Sequence, residues 1–157
     1  MKKFELTNEF ITNRFGTKLF RIRALVEFGD VEAGELGGYV EKESNLGHDD
    51  NAWVYDNAWV YGNAQVSGNA RVCGNGDYAY AHGFGSVNRT TTFFRLKDGG
   101  VGVRCGCFYG TLAQFRDKIR ETHGETKKAQ EYLMLADLME LRFEEDENEV
   151  GNRKYVE

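Results

Sequence analysis

Four consecutive hexamers organise this chain: Asn51-Ala-Trp-Val-Tyr-Asp56, Asn57-Ala-Trp-Val-Tyr-Gly62, Asn63-Ala-Gln-Val-Ser-Gly68 and Asn69-Ala-Arg-Val-Cys-Gly74. A fifth begins Asn75-Gly76-Asp77-Tyr78 and degrades, and upstream the frame extends weakly through Asn45 and Leu46. The second and fourth places hold Ala52/Val54, Ala58/Val60, Ala64/Val66 and Ala70/Val72. Residues two apart share one face of a strand, so each unit reads as a very short strand with one small apolar face. Asn at the first place and Gly or Asp at the sixth form a corner, because these residues accept backbone angles that others avoid. The chain has 19 Gly and no Pro, so its turns depend on this chemistry throughout. Hairpins would reverse direction at every corner, whereas a hexamer with the same inward pair each time suits a coil that keeps turning one way. The repeat predicts a parallel β-helix.

Val followed four residues later by Ala and six later by Val resembles the hexapeptide pattern of left-handed β-helices. That resemblance implies about three hexamers per coil, so residues ~18 apart would stack. Only about two coils fit between residues 45 and 87, and two coils leave apolar ends and open strand edges that the flanks must cover. The expected fold is therefore mainly β with C-terminal α: a short left-handed parallel β-helix capped by an N-terminal strand and by a C-terminal β-hairpin plus two helices. The N-terminal cap, residues 1–44, carries a strand in which Phe20, Ile22, Ala24, Val26 and Phe28 alternate with Arg21, Arg23, Leu25 and Glu27. Gly29-Asp30 and the run from Gly34 to Gly38 read as turns. In the region 88–143, Thr90–Leu96 and Val101–Phe108 flank the turn Lys97-Asp-Gly-Gly100 as a hairpin. Thr111, with Gln114 in capping-box spacing, starts a first helix that stops at Gly124, and a second helix runs from Thr126 to about Phe143. Residues 144–157 form an acidic tail.

Charge limits the partners. The chain carries 20 Lys+Arg against 25 Asp+Glu, a net charge of -5. Glu144, Glu145, Asp146, Glu147 and Glu149 account for all of it, so the body is near neutral. Bulk capture of DNA or RNA is not expected, while a local basic pocket for a small anion remains compatible with this balance. No apolar run approaches the ~18 residues of a spanning helix. The start, Met1-Lys2-Lys3-Phe4-Glu5-Leu6, lacks the apolar core of a signal peptide, so no membrane partner is expected and the protein is placed in the cytoplasm. Cys73, Cys105 and Cys107, an odd number, fit reduced thiols.

Arg21-Ile-Arg-Ala24, Gly34-Glu-Leu-Gly-Gly-Tyr-Val40, Glu43-Ser-Asn-Leu46, the Asn-Ala-x-Val-Tyr-Gly units and Cys107-Phe-Tyr-Gly-Thr-Leu-Ala-Gln-Phe115 together resemble small phage and prophage proteins built around such repeats. That resemblance implies a phage product in an infected bacterial host, acting against host immunity by binding, and it brings no catalytic residues with it.

The side chains offer three chemistries. Hexapeptide β-helices are best known as acyltransferases with a histidine base; of His48, His82 and His123, only His48, followed by Asp49 and Asp50, has carboxylates beside it. Surface or capping roles are the reading adopted for all three. Cys105 and Cys107 face one side of a strand and, with Cys73 and a histidine, are candidates for a soft metal, although strand cysteines more often act as small buried hydrophobes. No metal site and no cofactor are expected. The outward aromatics Trp53, Tyr55, Trp59 and Tyr61 need cover. Either the caps or a second subunit packs across them, or they sandwich a base or ribose while Arg71, Arg89 or Arg104 holds phosphate. Stacking at ~18 residues sets Trp53 over Arg71, an indole beside a guanidinium. The leading expectation is a non-enzymatic, homo-oligomeric counter-defence protein that sequesters a cyclic or modified nucleotide or inhibits a host immune protein. A hexapeptide acyltransferase and a structural oligomerisation module are the alternatives.

Overall fold

A computed structural model describes residues 2–85 and 89–144. All of the acidic tail beyond Glu144 lies outside the described residues. Three antiparallel neighbours open the chain: β1 (Phe4–Thr12), β2 (Lys18–Ala24) and β3 (Leu36–Val40). The apolar alternation read from Phe20 to Phe28 is carried by β2 only as far as Ala24, with Ile22 and Ala24 buried, and Val26 and Phe28 lie beyond its end. The single expected strand is thus the middle of three.

The repeat then contributes strands of two residues each: β4 (Trp53–Val54), β5 (Trp59–Val60) and β6 (Arg71–Val72). Its eight inward Ala and Val side chains are at most 3% exposed. Its corners turn through the sixth residues Asp56, Gly62 and Gly68, whose φ values of 55°, 66° and 66° lie in the left-handed region that short polar residues and glycine tolerate. β3 pairs with β5 in parallel (Tyr39 with Trp59, Val40 with Val60), β4 pairs with β6 in parallel (Trp53 with Arg71, Val54 with Val72), and Leu46 bridges Val66.

The expected short left-handed parallel β-helix is nevertheless not the architecture. Among the described residues the strands form three sheets, ordered β1-β2-β3-β5, β10-β9-β8-β7 and β4-β6; none closes, and the pairing is largely antiparallel. The physical reason is strand length. Two-residue strands supply few ladder hydrogen bonds and leave the ends of the array open, so longer antiparallel strands on both sides provide the pairing and much of the core.

On the C-terminal side those strands are β7 (Tyr78–Phe84), β8 (Arg89–Arg95), β9 (Val101–Cys105) and β10 (Phe108–Thr111). β8 and β9 pair antiparallel as the expected hairpin, and β7 and β10 widen it to a four-stranded antiparallel sheet. Two helices follow, α1 (Leu112–His123) and α2 (Lys127–Phe143). Neighbouring residues of a strand point to opposite faces, and β8 uses this to join two cores. Phe94 enters the cluster of Phe4, Ile22, Trp53 and the repeat interior, while Phe93 enters the cluster of Leu112, Phe115, Ile119, Tyr132 and Phe143.

Thr111 caps α1 as a two-way box. Its hydroxyl accepts from the Gln114 amide at 3.2 Å, and the Gln114 side chain accepts from the Thr111 amide at 2.9 Å. Thr111→Ala is expected to cost about 1 kcal/mol and to lower the melting temperature by about 2–4 °C, measured by circular dichroism. Among the described residues no helix is long and apolar enough to cross a membrane.

Candidate functional site

The seven residues singled out by the sequence do not converge. Trp53 is fully buried, with the rings of Phe4 at 6.3 Å and Phe28 at 5.2 Å edge-on to it. Its assignment to a ligand surface is therefore corrected: Phe4 of β1 and Phe28, between β2 and β3, cover it. The Arg71 guanidinium lies 4.9 Å over the ring of Tyr55, not over the indole, and also approaches Asp30 at 3.9 Å. The hollow beside Tyr55 and Arg71 measures only about 50 Å³. Arg89 lies on a different cavity next to α1, and Arg104 lies beside His48 and donates to the Gly106 carbonyl at 2.9 Å.

Trp59 and Tyr61 remain. They share a groove of about 350 Å³ with Asn75, Tyr78, Ala79, Tyr80 and Arg142. The repeat sets Trp59 and Tyr61 two apart on one face, and β7 does the same for Tyr78 and Tyr80. Tyr78 is the buried floor, edge-on to Tyr61 at 6.5 Å, and burial raises its phenol well above the ordinary value. Tyr61 and Tyr80 stay 39% and 36% exposed, enough to offer a ring face to a ligand. The Tyr80 hydroxyl end lies against Gly62, where a Cβ would overlap it. Asn75 anchors the wall by accepting from the Trp59 amide at 2.8 Å. Among the described residues the groove is lined by no carboxylate, and Arg142, in the last turn of α2, brings a positive charge to it. Tyr78, Tyr80 and Arg142 were not among the sequence candidates. The Tyr78-Ala-Tyr80 alternation was a usable signal; nothing local marks Arg142.

The histidines are otherwise engaged. His48 stacks on Phe4 at 4.3 Å, and its Nδ1 accepts from the Lys3 backbone amide at 3.1 Å. A neutral ring that accepts at Nδ1 carries its proton on Nε2, so it presents a donor and no free basic nitrogen. Asp50 is committed elsewhere, to the Lys3 ammonium (3.3 Å) and to the amides of Ala52 (3.1 Å) and Gly68 (2.7 Å). His82 shares a hydrogen bond with the Thr90 hydroxyl at 2.7 Å, and His123 stacks on Tyr132 at 5.9 Å. Cys73 and Cys107 are exposed and Cys105 is half-buried. Among the described residues no three His, Cys, Asp or Glu side chains come together in a way that would hold a metal ion.

No family model matches the chain. Among curated proteins it is similar to an uncharacterized acetyltransferase, YdcK, of Escherichia coli (strain K12), with 40% identity over 62 residues. The match covers 35% of this chain and 19% of that protein, so the chain spans less than a fifth of the relative's length.

Proposed function

We propose that this chain is a binding module for a small nucleotide, held in the groove of Trp59, Tyr61, Tyr80 and Arg142. The observation that carries the reading is that these three partly open aromatic rings share one groove with a guanidinium and no lining carboxylate. Aromatic faces stack on any nucleobase, and a guanidinium takes phosphate oxygens in a fork. Local charge suffices for such a ligand, so the net charge of -5 is no obstacle. Sequestering a cyclic or modified nucleotide signal in an infected host is the biological setting that fits the phage-protein resemblance.

The acetyltransferase name of the YdcK relative keeps group transfer as the second reading. It requires a base other than His48, whose Nδ1 is occupied.

Calorimetric titration with cyclic dinucleotides, ADP-ribose and acetyl-coenzyme A separates the two, with the ligand recovered and weighed by mass spectrometry. The expected result is that a nucleotide binds and is released intact. Trp59→Ala is expected to weaken binding by about 5- to 150-fold, the equivalent of about 1–3 kcal/mol for one stacked base, and Arg142→Gln by about tenfold or more. Both variants should melt close to wild type. Absence of binding by every nucleotide defeats the proposal, and turnover of acetyl-coenzyme A establishes the second reading in its place.

A further inference from the structure

A second cavity, of about 290 Å³, opens between the β9–β10 turn and α1 and shares no lining residue with the aromatic groove. Phe108, Ile119 and Tyr132 make it apolar inside, and Arg89, Lys118 and His123 also line it. Among the described residues no Asp or Glu lines it, in a chain where acids outnumber bases 25 to 20. Lys118 reaches Glu121 only at 4.0 Å, with both groups exposed, a pair worth little in water.

Two glycines lie beneath side chains that line it. Gly106 (φ 60°) lies under the Arg89 guanidinium and Gly85 (φ 84°) under the Tyr132 hydroxyl, and a Cβ at either would overlap the polar group that covers it. Both backbones are left-handed, where glycine is the residue without strain. The Tyr132 ring is buried; its phenol is pushed up to about 12 by burial first and by Cys105 next, so it keeps its proton near neutrality and can donate. The volume equals about ten water molecules, which suits a ligand of about ten non-hydrogen atoms.

We infer that this cavity binds a small organic oxyanion on a flat apolar body, a carboxylate or a phosphate ester, with Arg89 and Lys118 holding the oxygens. The body lies against Phe108, Ile119 and Tyr132. The guanidinium fork matches two oxygens of either group, and the apolar interior disfavours a bare inorganic ion.

The cysteines supply the test. Cys105 and Cys107 line the cavity, whereas Cys73 lies beside Asn57 and Asn75, away from it. The full chain is treated briefly with iodoacetamide in the presence of benzoate, phenyl phosphate or uncharged benzamide, and alkylation is read at each cysteine by mass spectrometry. Benzoate, phenyl phosphate or both are expected to slow labelling of Cys107 and Cys105 severalfold and to leave Cys73 unchanged. The stronger of the two identifies the ligand as an acid or a phosphate ester. Lys118→Gln, on an exposed helix face, and Arg89→Gln are each expected to raise the half-protecting concentration about tenfold, while Trp59→Ala leaves it unchanged. Equal protection by benzamide, protection that extends to Cys73, no protection at millimolar concentration, or an unchanged response in a normally melting Lys118→Gln variant each overturns the inference.

Discussion

Trp53→Ala should lower the free energy of unfolding by about 3–5 kcal/mol, the usual cost of emptying a fully buried tryptophan site, whereas Trp59→Ala should cost far less. For a chain of this size that corresponds to a fall of roughly 6–20 °C in melting temperature, against a total stability on the order of 5–15 kcal/mol. The two residues occupy the same place in adjacent hexamers, Asn-Ala-Trp-Val-Tyr in both. Phe4 and Phe28 close over the first indole, and the second faces the groove. Trp53→Phe refines the expectation. The Trp53 indole nitrogen is buried with no hydrogen-bond partner among the described residues, and an unpaired buried donor carries a desolvation penalty. Phenylalanine removes that donor while keeping a large ring, so this variant should retain most of the stability lost in Trp53→Ala. Thermal unfolding by calorimetry tests the series. Equal melting of Trp53→Ala and Trp59→Ala would mean that burial beneath Phe4 and Phe28 gives Trp53 no stabilising role beyond that of Trp59.

That contrast marks what the sequence can carry. Signals confined to a few neighbouring residues were legible. Thr111 with Gln114, Gly124 and Thr126 delimit the helix pair, and the period-two Ala and Val pairs of the repeat mark its buried face. Pairing between distant strands was not. The run from Gly34 to Gly38 reads as a turn because of its glycines, yet its second half belongs to the strand β3, Leu36–Val40. A Cβ at Gly37 would stand 2.6 Å from the Val54 carbonyl oxygen, and one at Gly38 2.5 Å from the Ala58 carbonyl oxygen. These glycines permit close approach of two backbones, a use that local sequence does not distinguish from turning. In β1 the register shifts between Leu6 and Phe10, so the alternation that would have announced the strand is broken. The candidate site divides in the same way. Trp59 and Tyr61 follow from the hexamer and Tyr80 shows in the Tyr78-Ala-Tyr80 alternation, but Arg142 and the contacts that bring β7 and α2 to the repeat are encoded by no period in the sequence.

The other large effect is expected at Asp50, the residue that fastens the first strand to the repeat. The Lys3 ammonium, 3% exposed, donates to the carbonyls of Ala52 (2.6 Å) and Asp50 (3.0 Å), pairs with Asp50 Oδ1 at 3.3 Å and lies 4.5 Å over the Phe28 ring. Asp50→Ala removes the counter-charge and leaves that ammonium buried. It also strips acceptors from the amides of Ala52 and Gly68. Loss of one partner of a buried pair costs about 3–5 kcal/mol, so the variant should melt well below wild type at neutral pH. Burial already holds the Lys3 pKa below the ordinary 10.5, and Asp50 opposes that fall. Without Asp50 the folded-state value drops further while the unfolded value stays. Between the two values the unfolded chain binds more protons than the folded one, so stability rises with pH. The deficit of Asp50→Ala should therefore be greatest below the folded pKa of Lys3 and shrink as pH rises towards 10.5. Lys3→Met in the same chain should recover part of the loss and flatten the pH dependence, because the charge that caused both is gone. Denaturant unfolding of the single and double variants at several pH values measures this. Parallel pH profiles for Asp50→Ala and the double variant would place the cost in the two amides rather than in the buried ammonium.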